Sequence, residues 1–210
     1  MQSLDLFPTT IWAEKLDLDN KKILEHIHEF KKVTEGAEFS NVGGWQGHKF
    51  ENDELVNAIR DNVPRNPNSQ HYNVNDPFPR GLVVHSWVNI NGKGAYNLRH
   101  NHVDTQVLIC GVYYVKVPEN SGSIRFYDPR GHMVTAFPDS TYYYDGIQFQ
   151  TIDPEEGMIL YFPHWLEHEV TANPTDEDRV SVSFNILWLS LIHISEPTRR
   201  YAISDAVVLV

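Results

Sequence analysis

The sequence predicts a β jelly roll of roughly eight strands with an α-rich N-terminal third. Two observations carry this. From Leu82 onward, runs rich in Val, Ile, Tyr, Phe and Trp recur between turn signals, with no helical stretch between them. Before Leu82, two amphipathic runs follow residues that can cap a helix. Strands without intervening helices argue against a parallel α/β sheet and for an antiparallel sandwich or small barrel.

The elements follow in order. Residues 5–12 (DLFPTTIW) read as a short extended lead-in. Asp19 caps a helix from about Asn20 to Val33, with Ile23, Leu24, Ile27 and Phe30 on one face. Gly43-Gly44 breaks the next stretch and is followed by WQGHKF. Asn52 caps a second helix to about Val63, with Leu55, Ala58 and Ile59 inward. A Pro/Asn-rich loop fills 64–81. Strands are expected at 82–91, 107–117, 123–127, 147–152, 158–162, 166–170 and 180–188.

Composition sets the class. The chain has 210 residues, 41% hydrophobic and 12% aromatic, enough for one core without staples. A net charge of −11 argues against nucleic acid or an anionic membrane as the main partner. It leaves open a small-molecule or side-chain substrate, because a local basic pocket can sit in an acidic protein. One cysteine, Cys110, excludes an internal disulfide and reads as an inert core thiol. The first residues lack the pattern of a secretory leader, and no apolar run is long enough to span a membrane. A cytoplasmic protein is expected, and a homodimer is compatible with it.

Three local patterns bear chemistry. The first is His102-Val103-Asp104, before the 107–117 strand. With 11 His and 28 acidic residues in 210 positions, about 1.5 His-x-acid matches arise by chance, so its context matters more than its letters. Residues two apart on a strand share a face, so both side chains could ligate one metal. The second is His168, which alternates with Leu166 and Val170 and so points inward. A core histidine with one hydrogen bond fits the same pattern. The third is Arg179-Val180-Ser181, opening the last long strand. An Arg can grip a carboxylate bidentately, and a hydroxyl two residues on can donate to the same oxygens. A surface Arg pairing with Asp176 or Asp178 is the plain alternative. Taken together, two His and one carboxylate form a facial triad for non-haem iron, with positions left for a 2-oxo acid and O2.

HxD … H … RxS with a last strand ending SFN resembles the 2-oxoglutarate/Fe(II)-dependent oxygenase superfamily. More narrowly, LFPTTIW, GGWQGHKF, SWVNINGKGAYN, HNHV, GVYYVKVPENSGSIRFYDPR, PEEGMILYFPHWLEHEV and RVSVSFN resemble a branch of it found in marine bacteria and phages. The resemblance covers about residues 5–188. It implies a double-stranded β-helix (a cupin-like jelly roll) and an oxidoreductase, in particular a hydroxylase. It implies Fe(II) on His102, Asp104 and His168, 2-oxoglutarate held at its far carboxylate by Arg179 and Ser181, and O2 as oxidant. Tyr113, or its neighbour Tyr114, and Asn185 are further candidates for the co-substrate. His100-Asn101-His102 leaves a second ligand set open, with His100 and His102 and no carboxylate.

Other residues have weaker claims. Arg125 and Arg130 flank a turn on the substrate side, and Arg130 reads as a solvated loop residue or a contact to an anion. Trp165 reads as pocket lid or core, and His164 as a loop residue. Tyr142, Tyr143 and Tyr144 read as strand packing or an entrance. From about Ser190, SLIHISEPTRR resembles translated sequencing adapter, so the domain is read as 1–188 and the tail is excluded from it. Two rival functions remain: a cupin-like metalloenzyme with no use for Arg179, and a jelly-roll binding module needing none of these residues. Convergence of the metal candidates, with Arg179 within ligand length, separates the three.

Overall fold

The computed structural model describes residues 8–64, 82–104, 106–130 and 149–188. They form two antiparallel sheets. The larger has strand order β1-β9-β6-β11-β4-β3 and the smaller β2-β5-β10-β7-β8. The strands are β1 Trp12–Lys15, β2 Asn41–Val42, β3 Trp45–His48, β4 Leu82–Asn91, β5 Tyr96–His100, β6 Val107–Lys116, β7 Ile124–Tyr127, β8 Phe149–Ile152, β9 Met158–Phe162, β10 His168–Val170 and β11 Arg179–Trp188. The helices are α1 Asn20–Val33 and α2 Asp53–Asp61. This is the expected jelly roll with eleven described strands, more than the sequence suggested. The strand at 12–15 follows from the end of the 5–12 lead-in and pairs with β9, and the strands at 41–42, 45–48 and 96–100 have no counterpart in the sequence expectation. None of these four is a continuous apolar run, so none stands out by hydrophobicity alone.

Both helices start where the caps place them. Asp19 accepts from the Lys22 amide at 3.1 Å and Asn52 from the Leu55 amide at 2.9 Å, each satisfying a first-turn donor. Their apolar faces (Ile23, Ile27, Leu55, Ile59) pack on the outer face of the larger sheet. There they meet Val88, Tyr113, Ile159, Tyr161, Val182 and Phe184 in one core. A second core lies between the sheets: Cys110, Val112, Tyr114, Ile124, Phe126, Leu160, Phe162 and Leu166. Strand alternation divides the two. On β11, Val180, Val182, Phe184 and Ile186 face the helices, whereas Arg179, Ser181 and Ser183 line the space between the sheets.

One end of the sandwich is knitted by Asn173, which is fully buried. Its Nδ2 donates to the carbonyls of Asn91 and Glu177, and its Oδ1 accepts from the amide and hydroxyl of Thr175. The Asn173 amide and carbonyl bond Ala95 and Gly94. The turn leading into β11 is thereby fixed to the β4–β5 turn, which sets where Arg179 enters the sandwich. Among the described residues, no helix is long and apolar enough to cross a membrane. The tail from 189, the 64–81 loop beyond Pro64, and Tyr142, Tyr143 and Tyr144 lie outside the described residues.

Candidate metal centre and its pocket

Three histidines meet between the sheets. β5 ends on His100, His102 lies two residues beyond, and β10 begins on His168, the register partner of His100. One ring nitrogen from each lies within 4.8 Å of the others. Ring centroids are 4.4 Å apart for His100–His168, 5.1 Å for His102–His168 and 5.2 Å for His100–His102. Each Nδ1 faces an oxygen acceptor. That of His100 meets the Leu98 carbonyl at 2.6 Å, that of His102 meets Asn185 Oδ1 at 2.7 Å, and that of His168 meets the Leu166 carbonyl at 2.9 Å. These oxygens only accept, so each Nδ1 carries the hydrogen and each Nε2 keeps its lone pair. Orientation of ligating rings through the second nitrogen is the usual support of a metal site.

Electrostatics keep the rings neutral. Burial lowers the pKa of all three. His102 falls to about 4, the bond to Asn185 opposing the desolvation only in part. His168 is pushed well below the ordinary histidine range by burial and by its two histidine neighbours. Neutral imidazoles with free lone pairs, a few ångströms apart, suit a divalent cation such as Fe(II).

Asp104 does not join them. It is exposed, and its Oδ1 accepts from the Gln106 amide at 2.8 Å, closing a local turn over its own backbone. Among the described residues the cluster that forms is His100, His102 and His168. Of the expected ligand set, the fold brings His102 and His168 together and puts His100 in the third place. The signal was the alternative pattern His100-Asn101-His102, in which both rings flank the end of β5.

A pocket runs from these rings along the inner face of the larger sheet. Its lining includes Trp87, Asn89, Asn91, Tyr114, Arg179 and Ser181. Arg179 is only 2% exposed, and its Nη1 donates to the Ser121 carbonyl at 2.9 Å. No acidic side chain pairs with it among the described residues. Burial lowers its pKa, and the nearby Tyr114 acts the other way. A buried cation without a carboxylate is costly, and a ligand carboxylate would offset that cost. Ser181 lines the pocket two residues on.

Two co-substrate candidates sit elsewhere. Tyr113 faces the helices, where its hydroxyl donates to Asn20 Oδ1 at 2.5 Å, and Tyr114 lines the pocket in its place. A one-residue change of parity on a strand exchanges its faces. Asn185 spends its Oδ1 on His102, so it orients a ring. Arg130 bonds Asp128 through Nε and Nη2, and Arg125 pairs with Glu169. Trp165 is 41% exposed, the His164 carbonyl accepts from the His102 amide, and Cys110 is buried with its thiol pKa pushed up.

Known proteins share this architecture. Residues 85–185 match a family described as putative 2OG-Fe(II) oxygenase. The match takes in the three histidines, Arg179 and Ser181. No curated protein matches the sequence. Among solved structures, the chain is similar to a prolyl-4-hydroxylase of Pseudomonas putida, at 14% identity and TM-score 0.56, covering 87% of this chain and 94% of that one. It is similar to a prolyl hydroxylase of Trichoplax adhaerens bound to a hypoxia inducible factor peptide, at 13% identity and TM-score 0.58, covering 89% and 87%. HygX of Streptomyces hygroscopicus, with nickel and 2-oxoglutarate bound, matches at 12% identity and TM-score 0.52, covering 87% and 84%. At these identities the likeness is one of fold, the double-stranded β-helix.

Proposed function

We propose that this chain is an Fe(II)- and 2-oxoglutarate-dependent oxygenase that holds iron on His100, His102 and His168 and hydroxylates its substrate. The observation that carries the reading is a single pocket with two unlike ends. At one end are three neutral rings whose Nδ1 atoms are all engaged. At the other is a buried guanidinium with no acidic partner among the described residues. A cupin-like metalloenzyme needs only the first end, and a binding module needs neither.

Iron bound there would supply O2 activation, coupled to loss of CO2 from the 2-oxo acid. The remaining tasks fall to the chain. Asn185 and the Leu98 and Leu166 carbonyls fix which nitrogen each ring presents. Arg179 and Ser181 orient the far carboxylate of 2-oxoglutarate, and Tyr114 walls the same end. Val112, Phe162 and Ile124 keep the pocket dry. The substrate is a small molecule or a side chain, and the lone buried Cys110 suits a reducing cytoplasm.

The ligand set is tested by metal binding and succinate formation together. Iron-reconstituted protein should convert 2-oxoglutarate to succinate. His100→Ala should weaken metal binding, read by competition with a chromogenic chelator, by at least about tenfold. Asp104→Ala should leave it within about twofold. The reverse pattern would move the site to His102, Asp104 and His168.

A further inference from the structure

The motif Gly43-Gly44-Trp45-Gln46-Gly47-His48 is outside the residues proposed to hold metal and co-substrate, yet the fold orders it closely. β3 pairs with β4 so that Gln46 stands opposite Asn89 and His48 opposite Trp87. Trp45 turns the other way, edge-on to Phe30 of α1 at 6.1 Å. A Cβ on Gly47 would lie 2.2 Å from the Trp45 ring, so the helix side of β3 is filled by that indole. Alternation then leaves Gln46 and His48 on the side of Asn89 and Trp87; the latter two line the pocket, and the former stand beside it on the neighbouring strand.

Three polar atoms on this side are buried and have no hydrogen-bond partner among the described residues: Gln46 Oε1, His48 Nε2 and Asn89 Oδ1. Gln46 is 3% exposed and Asn89 6%. Asn89 is oriented by its Nδ2, which donates to Ser183 Oγ at 3.0 Å and leaves Oδ1 free. A buried acceptor without a donor forfeits its solvation, so three in adjacent places call for a donor from outside the protein. The two amide oxygens can only accept, and a neutral imidazole serves in either sense through its tautomers. Among the described residues no carboxylate lines the pocket, and Lys49 follows directly on His48, so a cationic donor has no counter-charge there.

We infer that Gln46, His48 and Asn89 form the wall that recognises the substrate, through a neutral group with two N–H or O–H donors, a primary amide or a pair of hydroxyls. The assignment rests on the reading of the pocket as an oxygenase site. It makes β3 the specificity element, set beside the metal through Trp87, whose ring lies 5.6 Å from that of His102 and 6.1 Å, nearly parallel, from that of His48.

The test uses the full chain loaded with Zn(II) and 2-oxoglutarate, which is diamagnetic. Side-chain amide resonances of Gln46 and Asn89 are followed during titration with acetamide, ethylene glycol, their fully methylated counterparts N,N-dimethylacetamide and 1,2-dimethoxyethane, and guanidinium. Acetamide or ethylene glycol should produce saturable shifts, with its methylated counterpart at least tenfold weaker. Gln46→Met should weaken that binding at least fivefold and change 2-oxoglutarate affinity less than twofold. Where Gln46→Met does not fold, His48→Phe serves as the same arm. Equal binding of the methylated counterparts, no saturable shift with either donor, or guanidinium as the tightest probe would overturn the assignment. Failure of the unaltered chain to bind zinc and 2-oxoglutarate would instead overturn the reading of the pocket, and this assignment with it.

Discussion

β11 has two faces with opposite chemistry. Toward the helices it presents Val180, Val182, Phe184 and Ile186, each at most 1% exposed and packed in the outer core. Toward the pocket it presents Arg179, Ser181, Ser183 and Asn185, whose polar groups bond neighbours or await a ligand. The first face stabilises the sheet by burial, roughly 1.5–3 kcal/mol per large apolar side chain. The second adds little of that kind and costs desolvation, which a bound partner can recover. One strand therefore divides stability from binding at single-residue resolution, and variants on alternate positions should fall into two classes.

The largest effect is expected on the apolar face. Phe184 is fully buried and packs edge-on against Tyr161 at 5.4 Å. Phe184→Ala should cost about 3–5 kcal/mol of stability, read from the denaturant midpoint. The folded fraction should still bind metal. On the polar face, Arg179→Ala should weaken 2-oxoglutarate binding by about 2–5 kcal/mol, because a buried carboxylate loses its partner. Raising 2-oxoglutarate should compensate and raising iron should not. Equal response to both would show that Arg179 serves the fold. Asn185→Ala should be milder, about 10–100-fold in metal affinity, through loss of the His102 orientation. If it shifted the denaturant midpoint as Phe184→Ala does, the division between faces would fail.

The most gradual effect is on pH dependence. His102 has a folded pKa of about 4, below its ordinary 6.5. Between those values the unfolded chain binds more protons than the folded one, so acid favours unfolding. The stability of metal-free protein should therefore rise from about pH 4 to 6.5 and level off above, with a slope of at most about 1.4 kcal/mol per pH unit for this histidine. His48, His85, His100 and His168 are lowered too and add in the same sense. Phe184→Ala should lower the whole curve without changing its slope, whereas His102→Ala should flatten it.

The fold was largely legible because its signals are local. Asp19 and Asn52 cap helices by bonds three residues away, and the apolar runs of β4, β6, β9 and β11 declare themselves. Side-chain direction was legible where alternation fixes it, as for His168, Arg179 and Ser181, all of which face the pocket. It was obscured where a strand has no apolar run. β5 reads YNLRH, with exposed Leu98 and Arg99, and resembles the turn before it, so His100 had no element to sit on. Asp104 looked like a ligand because the spacing was counted along the chain. Its carboxylate is captured by its own turn, which sequence spacing cannot reveal. Which of Tyr113 and Tyr114 faces the pocket turns on one step of parity along β6, whose pairing with β11 carries two register irregularities. Gln46 and His48 sit on a four-residue strand whose direction depends on how Trp45 packs.

The pairing of His168 with His100 also bears on how the protein comes into being. On a ribosome, the segment carrying His100 and His102 emerges well before β10, and until β10 inserts between β5 and β7 the third ring has no place to stand. Two imidazoles close in sequence hold a divalent ion only loosely. The complete trio should capture it in one step, after the sandwich has closed. On the proposed ligand set, metal uptake would report that synthesis has passed His168 and that the central strand of the smaller sheet has docked.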